Sequence, residues 1–480
     1  MRPLRWMCLF AVTLLVPPVP LRAALPSARS LPGASREPPT ADWRDAAVRA
    51  YVRDRTTRAL AAHLPSFARQ TGLACSACHY QFLTLTPLGR QFKLNGYTLT
   101  RQQFITEKDR SKGKTLELLP AIPLAAMLQA SLSHTTDARP GVQNDNAELP
   151  QQLSVFLAGA LSSRLGLFSQ LTYSGADGGI GIDNIDLRYA SPTTLGHSTD
   201  LVYGFDLNNN PTVQDPWNTV PAWGFPFAAS DVAPSGAAGT VVDGALAQQV
   251  LGLGAYTFVA GTVYAEFSVY RSAQQGRAAA DSFALHGVAP YWRFALQHDW
   301  ERQSLMVGTY GLRANLFPGA VGAGIPTDHF TDIGLDAQAE TGVGSGSLVL
   351  RGTWIHEKQT LDATFADGGS ANPDNVLRTL RVNTSYYPFQ RLGVTLGYFQ
   401  TTGTTDTLRY APAPVTGSAS GDPKTNGFIG ELDFNPWQNA RLAAQYTLYD
   451  RFNGGKDGYD GFGRRATGNN TLYLLAWVAF

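Results

Sequence analysis

Two cysteines and a histidine near the start of the chain have types and spacing that can bind a porphyrin. They stand in the pentapeptide Cys75-Ser76-Ala77-Cys78-His79. This spacing is the attachment signature of a c-type haem. The two thiols can form thioethers with the two vinyl groups of one porphyrin, and the next residue can then offer its imidazole to the iron, which needs an axial ligand. We therefore predict one covalent haem c, bound by Cys75 and Cys78, with His79 as the proximal iron ligand.

Other chemistry of the pentapeptide is less favoured by the rest of the sequence. A structural zinc site needs four ligands in closed tetrahedral geometry, and the chain has no second cysteine pair to complete one. A redox-active Cys-x-x-Cys or a plain disulfide would use both thiols but would leave the adjacent histidine unexplained.

The N-terminus has the layout of a secretory signal peptide. Arg2 and Arg5 precede an apolar run over residues 6–16, and two prolines follow that run. The apolar run is too short for a membrane anchor, which needs about 20 predominantly apolar residues. We predict a signal peptide over residues 1–23, which removes Cys8, and a linker over residues 24–41.

The composition favours a large β-protein. Among 480 residues only 16% are charged, 11% are aromatic, and 48 are glycine, which suits many strands with tight turns. The formal net charge is +1, and no block of lysine and arginine is present. A nucleic-acid partner is therefore not expected.

The region around the pentapeptide predicts a small α-helical domain over residues 42–115. Apolar residues recur at helical spacing between Asp42 and Leu64, before Pro65. After the pentapeptide, Thr86 is a suitable N-cap, Pro87 fits the first helical position, and Gly96 fits the end of that helix. A domain of this size, stapled by its cofactor, cannot bury a large core of its own.

Residues 116–480 show alternation of period two instead. Residues 391–399, 441–449 and 471–480 each place apolar side chains at every second position. Short connections such as residues 435–439 alternate with long loops such as residues 208–243 and 402–426. Outer-membrane barrels share these features. We predict an antiparallel outer-membrane β-barrel of about 16 strands, with a soluble β-sandwich as the alternative.

The second axial ligand of the iron has three candidates. Met127 falls on the polar face of the first predicted strand, where a thioether pointing into a wet lumen would be explained by ligation of the iron. Simple packing of Met127 against the haem domain is the competing interpretation. His63 and His134 remain alternatives, although His134 falls on the outward face near a strand end.

The segments LPSFARQTGLACSACH (residues 64–79) and LTPLGRQFKLNGY (residues 85–97) resemble the head of the fused outer-membrane monohaem cytochrome c-porins of iron-oxidising bacteria. This resemblance implies that electrons pass from extracellular Fe(II) to a periplasmic cytochrome c or copper protein. The chain would then be an oxidoreductase of the Gram-negative outer membrane. Outer-loop carboxylates, Asp362, Asp367 and Asp374, could attract the Fe(II).

Two other functions stay open at this point: a solute porin with a redox-sensitive haem plug, and a haem enzyme such as a peroxidase. The bilayer core is about 30 Å thick, so a single haem shortens both electron-transfer steps only if it lies inside the barrel as a plug.

Arg90 and Lys93 lie within one helical turn of each other after the pentapeptide. They are candidates for contacts with the haem propionates, although such basic residues often simply face solvent.

Overall fold

The chain folds into a closed antiparallel β-barrel whose lumen contains part of the N-terminal segment. The computed structural model describes residues 65–99, 104–108, 115–119, 122–176, 178–196, 198–273, 284–319 and 324–480. The predicted signal peptide, the linker, the helical pattern before Pro65 and His63 lie outside the described residues.

The N-terminal elements are short, and the barrel strands are long. The helices are α1 (Ser66–Thr71), α2 (Cys75–Cys78), α3 (Pro87–Leu94) and α4 (Asp362–Ala366). Two small hairpins come first: β1 (His79–Gln81) with β2 (Thr84–Leu85), and β3 (Ile105–Lys108) with β4 (Thr115–Leu118). The barrel strands are β5 (Leu124–Thr135), β6 (Asn146–Ala160), β7 (Leu165–Ser174), β8 (Gly179–Leu195), β9 (Thr199–Asn208), β10 (Val250–Val259), β11 (Val263–Ser272), β12 (Ala284–Leu285), β13 (Ala289–Asp299), β14 (Gln303–Phe317), β15 (Asp328–Val343), β16 (Gly346–Thr360), β17 (Asp374–Phe389), β18 (Leu392–Gly403), β19 (Thr425–Trp437), β20 (Ala440–Arg451) and β21 (Thr471–Ala479).

The barrel closes between its last and first strands. β21 pairs with β5 in a register that places Val478 opposite Leu128 and Leu474 opposite Leu132. Since β12 has only two residues and β11 pairs directly with β13, the wall has 16 full strands, which confirms the predicted barrel of about 16 strands and excludes the sandwich alternative. None of the described helices is long and apolar enough to cross a membrane.

The two faces of the wall differ as the alternation predicts. On β18, Val394 and Leu396 are exposed on the outside, whereas Thr395 between them is buried on the lumen side. The lumen face also carries many buried charged residues, among them Arg188, Arg293, Glu340, Glu357, Glu431 and Arg441. An apolar exterior around a polar interior suits a barrel surrounded by lipid.

The connections at the two ends of the barrel are unequal, as expected. At the end where β5 begins, turns as short as residues 344–345 and 390–391 join the strands. Trp300, Phe389 and Trp437 are exposed at this end, where outer-membrane barrels carry an aromatic girdle. Loops as long as residues 404–424 and 452–470 lie at the opposite end.

The longest connection enters the lumen instead of staying outside. Residues 209–249, here called the insertion loop, join β9 to β10. Its Val220, Val241 and Leu246 are buried in one apolar cluster with wall residues such as Tyr270 and Tyr310. The prediction of an outer loop in this region is therefore incomplete, because its apolar residues bury themselves against the wall.

The long loops 404–424 and 452–470, here called the outer cap, are organised by aspartates that accept backbone hydrogen bonds. Asp406 accepts from the N–H groups of Ala371 (2.9 Å) and Arg409 (3.0 Å). Partial burial raises the pKa of Asp406, but these bonds and one from the Ser370 hydroxyl outweigh it, so that the pKa lies well below its ordinary value.

This arrangement predicts that the outer cap loses stability in strong acid. Because the folded-state pKa of Asp406 is depressed, its stabilising effect is present above the ordinary carboxyl pKa of about 3.9 and is lost as the pH falls below that value. We expect hydrogen-exchange protection of the Ala371 amide to hold between pH 7 and 4 and to decline under stronger acid. Asp406→Asn should reduce this protection already at pH 7, whereas Asp457→Asn, at an exposed position of the same cap, should not. Equal protection in both variants would contradict this role of Asp406.

Candidate functional site: the plug in the barrel lumen

The predicted haem-binding residues lie on one compact turn inside the barrel. Cys75 and Cys78 are the first and last residues of α2, and His79 begins β1. The two thiols are free and partly buried. Residues three apart on a helical turn share a face, as attachment to one porphyrin requires. The N–H of Cys75 donates to Oε1 of Gln438 (3.2 Å), in a short turn of the barrel.

The surroundings of His79 fit an iron ligand. Nδ1 of His79 is shielded from solvent and has no hydrogen-bond partner among the described residues. Burial lowers the pKa of His79 to about 4, so the imidazole is neutral, which is the form that ligates metals. Burial, aided by Cys75, also raises the pKa of Cys78 to about 11. The residues of this turn therefore fit a covalently attached haem.

Helix α3 packs directly against this turn. As predicted, Thr86 caps the helix, since its hydroxyl accepts from the N–H of Gly89 (3.2 Å), and Pro87 is the first helical residue. The Thr86 hydroxyl also donates to the carbonyl of Ala77 (2.6 Å). A Cβ atom at Gly89 would lie 2.2 Å from the Cys78 carbonyl oxygen. The close contact between α3 and α2 thus requires glycine at position 89.

Gly89→Ala should therefore separate α3 from α2. Because the clash is with backbone, a flexible side chain cannot relieve it, and we expect the attachment turn to shift. The measurement is the yield of covalent haem per barrel, which should fall in this variant. Gly181→Ala is the control, since a Cβ there meets no atom within 4 Å. An undiminished haem yield in Gly89→Ala would show that the contact is not needed.

Residues 65–99, here called the plug, are fixed to the wall by buried polar contacts. Arg90 forms an ion pair with Glu340 of β15, and both side chains are about 95% buried. The hydroxyl of Tyr80, the residue after His79, also donates to Glu340 (3.3 Å). Gln81 donates to Glu431 of β19 (3.2 Å). Two wall strands, β15 and β19, therefore hold the plug in the residues that follow the attachment turn.

Lys93 joins the plug to the insertion loop. Its ammonium group donates to the Val213 carbonyl (2.7 Å) and to Oδ1 of Asn218 (2.9 Å). Burial, assisted by Arg188, lowers the pKa of Lys93 to about 7. In the structure the charged groups of Arg90 and Lys93 thus bind oxygens of the wall and the insertion loop, as buried cations require, and do not face solvent. Contact of either residue with a haem propionate stays a prediction.

Two of the three candidate distal ligands, Met127 and His134, occupy different ends of the barrel. Met127 is buried on the lumen face of β5, and its sulfur lies 3.7 Å from Nε2 of Gln129. Gln129 is opposite Trp477 in the register, and Trp477 contacts Phe82, whose ring centroid lies 5.4 Å from that of His79. Met127 therefore belongs to the lumen region that also contains the plug.

His134 lies elsewhere. It is exposed on the outer face and binds Oδ1 of Asp145 (2.6 Å). It lies seven positions after Met127 on the same strand, a rise of about 23 Å. The structure thus does not bring His134 to the plug, and His63 lies outside the described residues.

Comparison with known proteins adds similarities of architecture. No family model and no curated protein matches this chain. An anion-selective porin from Comamonas acidovorans is similar in structure, with 15% identity, a TM-score of 0.44 and coverage of 74% of this chain and 98% of the porin. A loop L8 deletion mutant of OmpT from Vibrio cholerae has 12% identity and a TM-score of 0.42, and the match covers 74% of this chain and 98% of the mutant. OmpF of Salmonella typhi in complex with daunomycin has 11% identity and a TM-score of 0.41, and the match covers 74% of this chain and 97% of OmpF. The chain's own strand pairing, independently of these similarities, defines its closed barrel.

The sequence analysis missed the wall residues that hold the plug. Glu340 and Glu431 lie at inward positions of strands whose alternation is readable, so their burial could have been predicted. The signal that could have identified them is a charged residue at an inward position of a strand, because such a residue needs a partner inside the lumen. Its partner was not readable, since Arg90 and Glu340 are 250 residues apart in the chain.

Proposed function

We propose that this chain is an outer-membrane barrel that carries a c-type haem on its plug and transfers electrons between the outside of the cell and the periplasm. The observation that carries this proposal is the position of the Cys-x-x-Cys-His turn inside the lumen of a closed barrel. Bound to Cys75, Cys78 and His79, a haem would supply a one-electron redox centre. The apolar exterior and the predicted signal peptide support an outer-membrane location.

The plug and the insertion loop inside the lumen favour electrons over solutes as the transported species. The plug occupies the half of the lumen near the short turns, through contacts such as those with Gln438 and Glu340. The insertion loop enters the lumen beyond it, where Val220, Val241 and Leu246 are buried against the wall. Solute passage needs a continuous water-filled path, whereas electron transfer requires none. The plug contacts also hold the attachment turn rigidly, which limits reorganisation around a redox centre.

The electron donor we propose is extracellular Fe(II), following the resemblance to the cytochrome-porins of iron-oxidising bacteria. The acceptor would be a periplasmic cytochrome c or copper protein. Asp362 and Asp367, proposed to attract Fe(II), lie in the connection between β16 and β17 at the long-loop end, and Asp374, the third of these carboxylates, begins β17. The side chain of Asp362 is 62% exposed and lies 3.9 Å from Nε2 of His329.

The test is anaerobic stopped-flow mixing of the oxidised, detergent-solubilised full chain with Fe(II), with haem absorbance as the signal. Rapid reduction is the expected result. A haem that is present but stays oxidised would exclude Fe(II) as the donor. A chain purified without covalent haem would overturn the proposal, because it would lack the redox centre.

The second candidate is a solute porin whose haem plug responds to redox state. The supporting observation is the barrel itself, since 16 strands enclose a lumen of the size found in porins. Conductance of the purified protein in a planar bilayer separates the candidates. Channel currents that depend on the oxidation state of the haem would favour the porin, whereas a non-conducting barrel would favour electron transfer.

Met127→Ala tests the proposed distal ligand. If the Met127 sulfur ligates iron, its loss should shift the haem absorption spectrum and lower the midpoint potential, because thioether ligation raises the potential. Met306→Ala is the control, since Met306 is buried in a different cluster with Trp217 and Tyr264. A spectrum and potential unchanged in Met127→Ala would eliminate Met127 as the ligand.

A further inference from the structure

A small crevice in the lumen lies between the insertion loop and the wall strands β16 and β17. Its cavity volume is about 20 Å³. The loop side consists of Asn218, Thr219, Gly224 and Phe225, and the wall side includes Arg351, Thr353, Arg381 and Asn383. A cavity needs roughly 10–15 Å³ of such volume to accept one water molecule. This crevice therefore suits one small polar group, such as one end of a carboxylate.

The charge of Arg351 in this crevice is not balanced by a carboxylate. The Arg351 side chain is 4% exposed, and its guanidinium donates only to neutral oxygens, at the Asn218 carbonyl (3.3 Å) and the Thr84 hydroxyl (2.9 Å). No carboxylate of the described residues lies within 4.0 Å of it, whereas the other fully buried arginines of the lumen are paired: Arg90, Arg188, Arg293 and Arg441. A buried cation without a counter-charge is unfavourable.

Two buried donors that line the crevice lack acceptors. They are Nε of Arg351 and Nδ2 of Asn383, which is 8% exposed. Arg381 also lines the crevice, but Asp243 neutralises it through two hydrogen bonds. Since no acidic side chain is among the lining residues, the crevice has a net positive charge and free N–H groups.

We propose that this crevice binds a carboxylate or a comparably small oxyanion, with Arg351 as its counter-charge and Asn383 as a second donor. Ionised oxygen acceptors form the strongest hydrogen bonds with guanidinium groups, so such a ligand would satisfy both orphaned donors and balance the charge. An apolar or cationic ligand would do neither.

The carboxylate can come from two sources. One is a free small anion in solution, whose binding does not depend on a bound haem. The other is a propionate of the haem, and this source rests on the proposed function. Its structural support is that Arg351 contacts Thr84, whose neighbour Leu85 is paired with His79 in the plug hairpin.

The test uses formate as the probe and saturation-transfer NMR of its single proton, with the full chain in deuterated detergent. It compares the wild type with Arg351→Gln, Asn383→Leu and Arg378→Gln. Removing a charge-assisted partner should weaken formate binding roughly tenfold. Arg378→Gln removes the same charge from the exposed face of the neighbouring strand β17, which also carries Asn383, and should bind like the wild type. Heat-modifiable migration in gels verifies that each variant forms a barrel, and Asn383→Leu keeps the test valid if Arg351→Gln does not fold.

A second arm distinguishes the sources by repeating the titration with Cys75→Ser/Cys78→Ser, which cannot attach haem. Formate binding in both the wild type and this variant would assign the site to free anions. Binding only in the haem-free variant would assign it to a propionate, and Arg351→Gln should then also lower the midpoint potential of the holoprotein. Absence of formate binding in both proteins, or equal binding in Arg351→Gln, would overturn the proposal. A wild type without haem would defeat the proposed function but leave the free-anion result interpretable.

Discussion

Replacing both plug cysteines, as in Cys75→Ser/Cys78→Ser, should abolish covalent haem entirely. These are the only cysteines outside the predicted signal peptide, so no other thiol of the mature chain can form a thioether. The measurement is haem peroxidase staining after denaturing electrophoresis, together with the reduced pyridine haemochrome spectrum. We expect complete loss of both signals and of reduction by Fe(II).

Controls separate this loss of attachment from a loss of folding. Ser76→Ala lies between the two thiols and should retain the covalent haem. The double variant should still form a barrel, because 16 paired strands and the buried polar contacts of the plug do not depend on the thiols. Covalent haem that survives in the double variant would refute the assignment of both cysteines.

Removal of the wall carboxylate in Glu340→Ala should release the plug. Glu340 accepts hydrogen bonds from Arg90, from Tyr80 (3.3 Å) and from Gln338 (2.6 Å). Truncation would leave the Arg90 guanidinium buried without a counter-charge, which costs about 3–5 kcal/mol. We expect trypsin to cleave after Arg90 or Lys93 in the variant but not in the wild type, and bilayer conductance to rise as the lumen opens.

A charge-neutral double replacement tests whether the unpaired charge is the cause. Arg90→Leu/Glu340→Leu removes both charges and fills the space with apolar atoms, which is often neutral for stability. Its plug should resist trypsin at Lys93 about as well as the wild type. If Glu340→Ala itself stays resistant and non-conducting, the ion pair is not what retains the plug.

The two predictions use different kinds of information. The prediction for the cysteines comes from a local pattern, since the five consecutive residues 75–79 are enough to predict haem attachment. The role of Glu340 depends on a partner 250 residues away, which local patterns do not reveal. The same contrast applies to Arg90 and Lys93. Their helical spacing was readable, but their buried partners on β15 and in the insertion loop were not.

The sequence by itself determined the strand alternation, the inequality of turns and loops, the caps of α3 and the Cys-x-x-Cys-His turn. Each depends on residues close in the chain: period two fixes which face a side chain takes, and Thr86 and Pro87 set a helix start. Only the tertiary structure decided that the insertion loop folds inward and that Arg351 remains without a carboxylate. Closure of the barrel sets which inward residues meet across the lumen, and these contacts arise from strand register around the whole wall.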